Sequence, residues 1–385
     1  MRRSALGGVL ALAFVCVMVP SALAAAGAVT LSALATTIDF GESVRLTGEI
    51  SPPSGGQAID IVDVTGAVLT TTTTGAAGRF SASLSPRANV TLHAVWGSDV
   101  SPDVSIGVRA VVTVHLAPVR LFDGAAVRGT VRPAVAGAKV AVTLTRDGRA
   151  VAERSVGVGA AGGFRTTFTI EQPGTYRVRA AFADPDHLRG TANDGPRSTP
   201  LPSLRIGSSG IFVLLLEQRL VDLQYRLVDI DRRYDFRTAD AVLAFRKVQR
   251  MLRVSTVDAG IWRALAHPVR PRPRSSTSGF HIEIDQSRQV LYTVRDGSVT
   301  NIMHVSTGKA STPTRDGSFS VTSKLAGYSP NRLYYPSFFD GSRAIHGWPE
   351  VPTYPASHGC VRVPYWNAKW IYGLAALGTR VIVYH

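Results

Sequence analysis

The chain has 385 residues, too many for one ordinary domain and enough for three or four. It carries 42 Lys and Arg against 27 Asp and Glu, a formal charge of +15, so its surface favours polyanions. Only the first line holds a long uncharged apolar run.

That run decides the compartment. Arg2 and Arg3 precede an apolar stretch, Ala5 to Val19, and Ser21-Ala22-Leu23-Ala24 supplies a small-x-small ending. The stretch is shorter than the roughly 20 residues of a membrane span, so residues 1–26 read as a cleaved signal peptide, with an uncleaved anchor as the alternative. The chain is expected to be exported, to the periplasm, the cell wall or the extracellular space. There nucleic acid is excluded as a partner, and carboxylate- or phosphate-rich wall polymers and anionic headgroups remain. A membrane partner follows only from an uncleaved leader. Val15 before Cys16 is too large for a lipoprotein site, and without the leader Cys360 stands alone. In an exported domain a solitary cysteine signals an intermolecular bridge or a reactive thiol.

Residues 27–203 repeat. GAAGRF (75–80) returns as GAAGGF (159–164), each after a glycine-centred strand ending in proline (44–52, 125–133) and before an alternating strand (89–96, 175–182). Short β-branched runs with regular turn punctuation predict two tandem β-sandwiches, 27–114 and 115–203, which resemble the Ig-like modules of bacterial surface proteins. His93 and His115 are read as structural, and RGTANDGPRSTPLPS (189–203) as a linker. Leu216, Leu220, Leu223 and Leu227 predict a helix over 211–227, and Thr238 precedes a second over 239–250. Asp258 opens a short third. The segment 204–268 is similar to the three-helix peptidoglycan-binding domain of wall enzymes through Gly210, Leu216, Leu220, Ala241-Val242, Phe245 and Trp262-x-x-Leu265. It lacks that family's glycine-containing loop at Leu227 to Arg233. A Pro- and Arg-rich linker, 269–279, follows.

The last segment, 280–385, returns to β pattern. Three strands are expected across 280–308, with turns at Asp285-Gln286-Ser287 and Asp296-Gly297, then a helix over 367–376 and a closing strand, 379–384. Aromatics crowd its middle, Tyr328, Tyr334, Tyr335, Phe338, Phe339, Trp348 and Tyr354 among them, as a lined cleft would require. His281 and His304 are read as structural strand residues. The fold class is therefore multidomain and mainly β, with one small helical domain.

ASHGCVR (356–362) contains the lone thiol. A thiol near its ordinary pKa, about 8.5, needs a base or a positive partner to attack a carbonyl. His358 and His346 are close in sequence, and the latter, in AIHGWP, can return beside Cys360 across a loop. Gly359 frees the surrounding N–H groups to form an oxyanion hole, and Arg362 can stabilise a thiolate or hold a carboxylate. A zinc site on His346, His358 and Cys360 would lack a fourth soft ligand, so no metal is expected.

His346-Gly347 followed by Ser357-His358-Gly359-Cys360-Val361-Arg362 resembles the signature of the L,D-transpeptidase catalytic domain, the YkuD fold. Ser306–Gly308, Thr312–Thr314 and Gly317-x-Phe319 are also similar to it, over 280–385. The resemblance implies Cys360 as nucleophile, His346 as base, the Gly347 carbonyl as its orienter, and the N–H groups of His358, Gly359 and Cys360 as oxyanion donors. Ser357, Arg362, Trp348 and Tyr335 would serve the loop and the substrate. It implies peptidoglycan stem peptides and glycan strands as partners, carbapenem-type β-lactams as inhibitors, and no cofactor. Cross-linking through a thioester would release D-alanine from a tetrapeptide stem. Hydrolysis of the same thioester, and a non-catalytic wall-binding or adhesive role, are the alternatives. The His-to-Cys interval is at the short end for the family, which implies a reduced substrate-covering loop.

Overall fold

A computed structural model describes residues 28–385, so the leader and Cys16 lie outside the described residues. Among the described residues, no helix is long and apolar enough to cross a membrane. The chain forms two compact units: residues up to Val111 with Ala183–Gly190, and Val112–Phe182 with Thr191–His385.

The first unit is a β-sandwich. Val44–Ser51 pairs with Arg79–Leu84 in one sheet, and Ala58–Asp63 pairs with Val90–Trp96 in the other. Leu46, Ile59, Ile61, Leu92 and Val108 fill the space between. The second unit begins with its counterpart, in which Gly124–Arg132 pairs with Gly163–Thr169 and Lys139–Arg146 with Thr175–Asp184.

The sequence repeat has a steric cause. A Cβ on Gly48 would sit 2.3 Å from the Phe80 ring and 2.1 Å from the Thr30 carbonyl, and one on Gly129 would sit 2.3 Å from Phe164 and 2.1 Å from the Thr113 carbonyl. Each GAAG-x-F turn thus drops a phenylalanine onto the bare backbone of its own glycine-centred strand. Gly78 and Gly162, at φ 71° and 80°, supply the left-handed residue of each turn. The expected linker at 189–203 is a strand for most of its length. His187–Ser198 pairs beside Thr175–Asp184 despite Gly195 and Pro196.

Three helices follow: α1 (Ile211–Asp222), α2 (Phe236–Val248) and α3 (Ala259–Ala266). α1 stops earlier than the leucine stripe predicts because Gln224 turns left-handed, at φ 70°, and the chain joins a sheet edge instead. α2 starts earlier, since Asp235 rather than Thr238 caps it, accepting from the N–H groups of Arg237 and Thr238. Thr238 instead donates to Glu217, a fully buried carboxylate that also accepts from the N–H groups of Asp231 and Arg232. Burial pushes the Glu217 carboxyl above its ordinary range.

The C-terminal part packs two sheets around Ile282, Leu291, Val305, Ile345, Val361 and Val381. One is five-stranded, in the order Ser298–His304, Val290–Arg295, Phe280–Asp285, Arg380–Tyr384, Gly317–Ser320. The other runs Ser323–Lys324, Tyr334–Asp340, Arg343–Trp348, Val361–Pro364, with α4 (Tyr365–Leu374) placing Ala368 and Ile371 in the core.

The run VLYTV at 290–294 is buried throughout because both faces are covered. Leu291 faces the core between the sheets, while Val290, Tyr292 and Val294 join Leu216, Phe245 and Trp262 of the helices in a second core. The chain after α1 also completes the sheet edge: Arg226 N–H donates to Ile302 O and Ile302 N–H to Gln224 O, each at 2.8 Å. The segment before Phe280 has no regular structure but is tied down, with the N–H groups of Arg274 and Ser275 donating to buried Glu283. Gly129→Ala should cost about 1–3 kcal/mol by overpacking, measured by urea titration, whereas Gly137→Ala, with open space at its Cβ, should show only the smaller penalty of its positive φ.

Candidate active site

Two neighbouring strands present the candidate residues. Arg343–Trp348 pairs in parallel with Val361–Pro364, in a register that sets Ile345 beside Val361 and His346 beside Arg362. Alternation sends His346 and Arg362 to one face. Cys360 immediately precedes the second strand, and its sulfur lies at the head of the first, 3.8 Å from Ser342 O.

Short hydroxylic motifs hold the turn that carries the cysteine. Ser357 Oγ donates to Cys360 O at 2.6 Å and accepts from Gly359 N–H at 3.1 Å. Thr314 Oγ1 donates to Gly359 O, and Thr312 Oγ1 donates to Ser357 O. The Thr307 carbonyl accepts from the N–H groups of Ala356 and Ser357, and Ser306 exchanges both backbone bonds with Arg362. Gly308 lets these segments approach, because a Cβ there would lie 2.2 Å from Thr312 O. Gly359 adopts φ 112°, open to glycine, and its Cα packs against the Arg343 side chain. The Gly359 N–H is thereby turned inward to Ser357. Of the three expected oxyanion donors it is already engaged, leaving those of His358 and Cys360.

His346 is 2% exposed, whereas His358 is exposed, so the two histidines near the thiol are not equivalent and do not form a common metal-binding corner. His346 Nδ1 lies 2.9 Å from Gly347 O. A carbonyl can only accept, so Nδ1 carries the proton and Nε2 keeps its lone pair. Burial is the main cause that lowers the His346 pKa to about 4, with the nearby Arg362 charge adding to it. Cys360, partly exposed, has Sγ 3.8 Å from Ser342 O, and among the described residues no hydrogen bond joins the sulfur to an imidazole. Burial pushes its thiol up, while the Ala344 N–H and the Arg343 and Arg362 charges oppose this. The pair is therefore neutral at rest, not the ionised thiolate that the sequence suggests.

Arg343 is the residue sequence reasoning missed. Its Nη1 donates to Asp340, which also pairs with Arg315, and its side chain lies against the cysteine turn. The available signal was its position three residues before His346, at the head of the same strand.

Beside the histidine lies a cavity of about 440 Å³ walled by Tyr328, Arg332, Trp348, Pro349 and Tyr365. Trp348 meets the His346 ring edge-on at 5.6 Å and receives Arg362 over its face at 5.0 Å. Tyr335, expected in the cleft, does not wall this cavity. The strand register slips between Tyr334 and Ser337, and Tyr335, at φ 49°, turns to Tyr372 of α4. Gly347 gives the neighbouring rings their space, since its Cβ would meet Ala368 at 2.7 Å and Tyr334 at 3.0 Å.

Residues 279–383 match the L,D-transpeptidase catalytic domain family, YkuD. The C-terminal domain of this chain belongs to that family. The chain is similar to a crystallised L,D-transpeptidase segment, residues 123–326, from Xylanimonas cellulosilytica DSM 15894, at 37% identity over 49% of this chain and 100% of that one, TM-score 0.45. It is also similar to the catalytic domain of the Enterococcus faecium L,D-transpeptidase solved by NMR, at 26% identity over 29% and 100%, TM-score 0.25. A third similar structure is the Ldtfm-avibactam carbamoyl enzyme, at 26% identity over 28% of this chain and 50% of that one, TM-score 0.26. No curated protein matches the chain.

A base that titrates at about 4 stays neutral at all higher pH, and protonation removes its lone pair only as pH falls through that value. With Cys360 as nucleophile and His346 as base, the roles proposed below, the rate of acylation by a β-lactam should therefore hold between pH 7 and roughly 5 and fall only below that. An acid limb centred on the ordinary imidazole value of 6.5 would show the burial effect to be absent.

Proposed function

We propose that the protein is an exported cell-wall L,D-transpeptidase that cross-links peptidoglycan stem peptides through a thioester on Cys360. The observation that carries this reading is the buried, neutral His346, oriented by the Gly347 carbonyl, in a domain of the L,D-transpeptidase family that also holds the lone thiol.

Substrate binding would bring the acyl carbonyl over the sulfur. Sγ attacks that carbon as its proton passes to His346 Nε2, and the N–H groups of His358 and Cys360 receive the oxyanion. The Gly347 carbonyl stabilises the resulting imidazolium, and Arg343 and Arg362 stabilise the transient thiolate. Collapse breaks the amide before the terminal D-alanine, whose nitrogen takes the proton from His346. The acyl group stays on sulfur. An amine of a neighbouring stem then attacks, loses its proton to His346 and regenerates the thiol. The energy of the original amide is carried through the thioester, so no nucleotide is needed, and no residue requires a metal or organic cofactor.

Trp348 and the cavity beside it would seat the donor stem, with Arg332 placed for a carboxylate. The helical segment would hold glycan strands, and the sandwiches would space the site within the wall, in a role in wall biogenesis and cell shape. Water resolving the same thioester would make the enzyme a carboxypeptidase or endopeptidase; the partly exposed sulfur admits either acceptor. A carbapenem would acylate Cys360 by the same attack, and the avibactam carbamoyl adduct of a similar protein supports that expectation.

Purified protein incubated with disaccharide-tetrapeptides should yield cross-linked dimers and free D-alanine by mass spectrometry. Cys360→Ala should abolish both products, and His346→Gln should slow acylation by about 10²–10⁴-fold, the usual worth of a positioned base. Unchanged turnover in Cys360→Ala would refute the assignment.

A further inference from the structure

The twelve residues between Trp348 and Val361 join two parallel neighbouring strands, a connection that ordinarily contains a helix. Here the crossover is irregular, so its backbone polar groups must be satisfied from outside. Its carbonyls are taken by side chains. His304 Nε2 donates to Val351 O at 2.7 Å, Arg253 Nη1 donates to Thr353 O at 2.9 Å, and Ser306 Oγ donates to Tyr354 O at 2.7 Å.

Two of these three anchors lead to the helical segment. Arg253 follows α2, and its other terminal nitrogen donates to Ser287 O at 2.8 Å. His304 is held by Lys247, near the end of α2. The Lys247 ammonium, 2% exposed, donates to Gln289 O at 2.9 Å, to Val305 O at 3.1 Å and to His304 Nδ1 at 2.6 Å. The proton positions follow from the partners. Val351 O can only accept, so His304 Nε2 carries a hydrogen, and satisfying all four contacts requires one further proton shared between Nζ and Nδ1. Burial pulls both groups down, which favours a single charge over two. Arg253 and Asp240 are the other charged groups acting on this pair. A buried lysine without a carboxylate in contact is costly unless every hydrogen is used, and here every one is.

We propose that Lys247 and Arg253 are positioning residues for the active site, fixing the crossover from the helical segment through His304–Val351 and Thr353. The crossover continues directly from Trp348 and Pro349. Trp348 touches His346 and Arg362, and both residues wall the cavity beside the base. Holding Val351 and Thr353 sets where that wall stands. The helical segment is then part of the catalytic machinery, whatever it binds. This inference rests on the assignment of Cys360 and His346 made above.

The test compares full-length wild type, Arg253→Gln, Arg253→Lys and Lys247→Met. Arg253 is only partly buried, so Arg253→Gln should fold with little change in Tm. Hydrogen exchange at the Ala356 and Ser357 amides, which donate to Thr307 O at the end of the crossover, should rise by about tenfold or more, with the core strands unchanged. Its kcat/KM on disaccharide-tetrapeptides should fall by about tenfold or more, chiefly through KM, while acylation by a small β-lactam changes less. Arg253→Lys, which can reach one carbonyl, should recover part of the loss. Lys247→Met, if it folds, should show the larger effect. Unchanged exchange and unchanged kcat/KM in a folded Arg253→Gln would overturn the proposal, as would losses on both substrates that merely track Tm. An inactive wild type would instead sink the assignment of function and leave the exchange result to decide the anchor.

Discussion

The parallel pairing of Arg343–Trp348 with Val361–Pro364 is the constraint on which the site depends. Parallel neighbours share one side-chain direction at each register position, so His346 in one strand and Arg362 in the other face the same way. The turn carrying Cys360 arrives at the head of the first strand, its sulfur 3.8 Å from Ser342 O. The same pairing forces a crossover between them, and that crossover must be anchored because it contains no helix. The reactive geometry and the need for outside support thus have one origin.

Support comes from uncharged groups. Ser306, Thr307, Thr312, Thr314 and Ser357 supply hydroxyls or carbonyls that satisfy the cysteine turn without placing a fixed negative charge near the sulfur. The charges that do approach are cationic. Arg343 and Arg362 favour the ionised sulfur, while burial opposes it, and burial also holds His346 neutral. The balance keeps both the thiol and the imidazole neutral. Asp340 sits behind Arg343, paired with Arg315 as well, and so stays at a distance from the thiol while fixing one of its cations.

The helical segment and the catalytic sheet share a core that includes Phe245, Trp262, Tyr292 and Ile302, and residues 224–226 extend the sheet edge. An exposed edge strand invites pairing with other chains, and covering it internally removes that hazard. The arrangement also gives α2 direct access, through Lys247, to the interior of the catalytic domain. The helical segment is thus built into the fold of the catalytic domain.

The motif around Cys360, the three strands after residue 279 and their turns, the sandwich repeat and the third helix cap were legible in the sequence because each depends on local spacing or on a residue type that only one conformation accepts. Gly48 and Gly129 announced themselves as a repeat because a phenylalanine ring occupies the place of their Cβ. Other features depend on contacts between segments far apart in sequence. His304 reads as an ordinary strand residue until Lys247, 57 positions earlier, is placed against it. Tyr335 belongs to the aromatic run by composition, but a one-residue register slip brings its ring against Tyr372 of α4. The ionisation of Cys360 and His346 also lay beyond the sequence, since burial sets it and burial is a property of the packed chain. Sequence determined which groups could react; only the tertiary structure decided that both are held neutral, because desolvation arises when distant segments close around them.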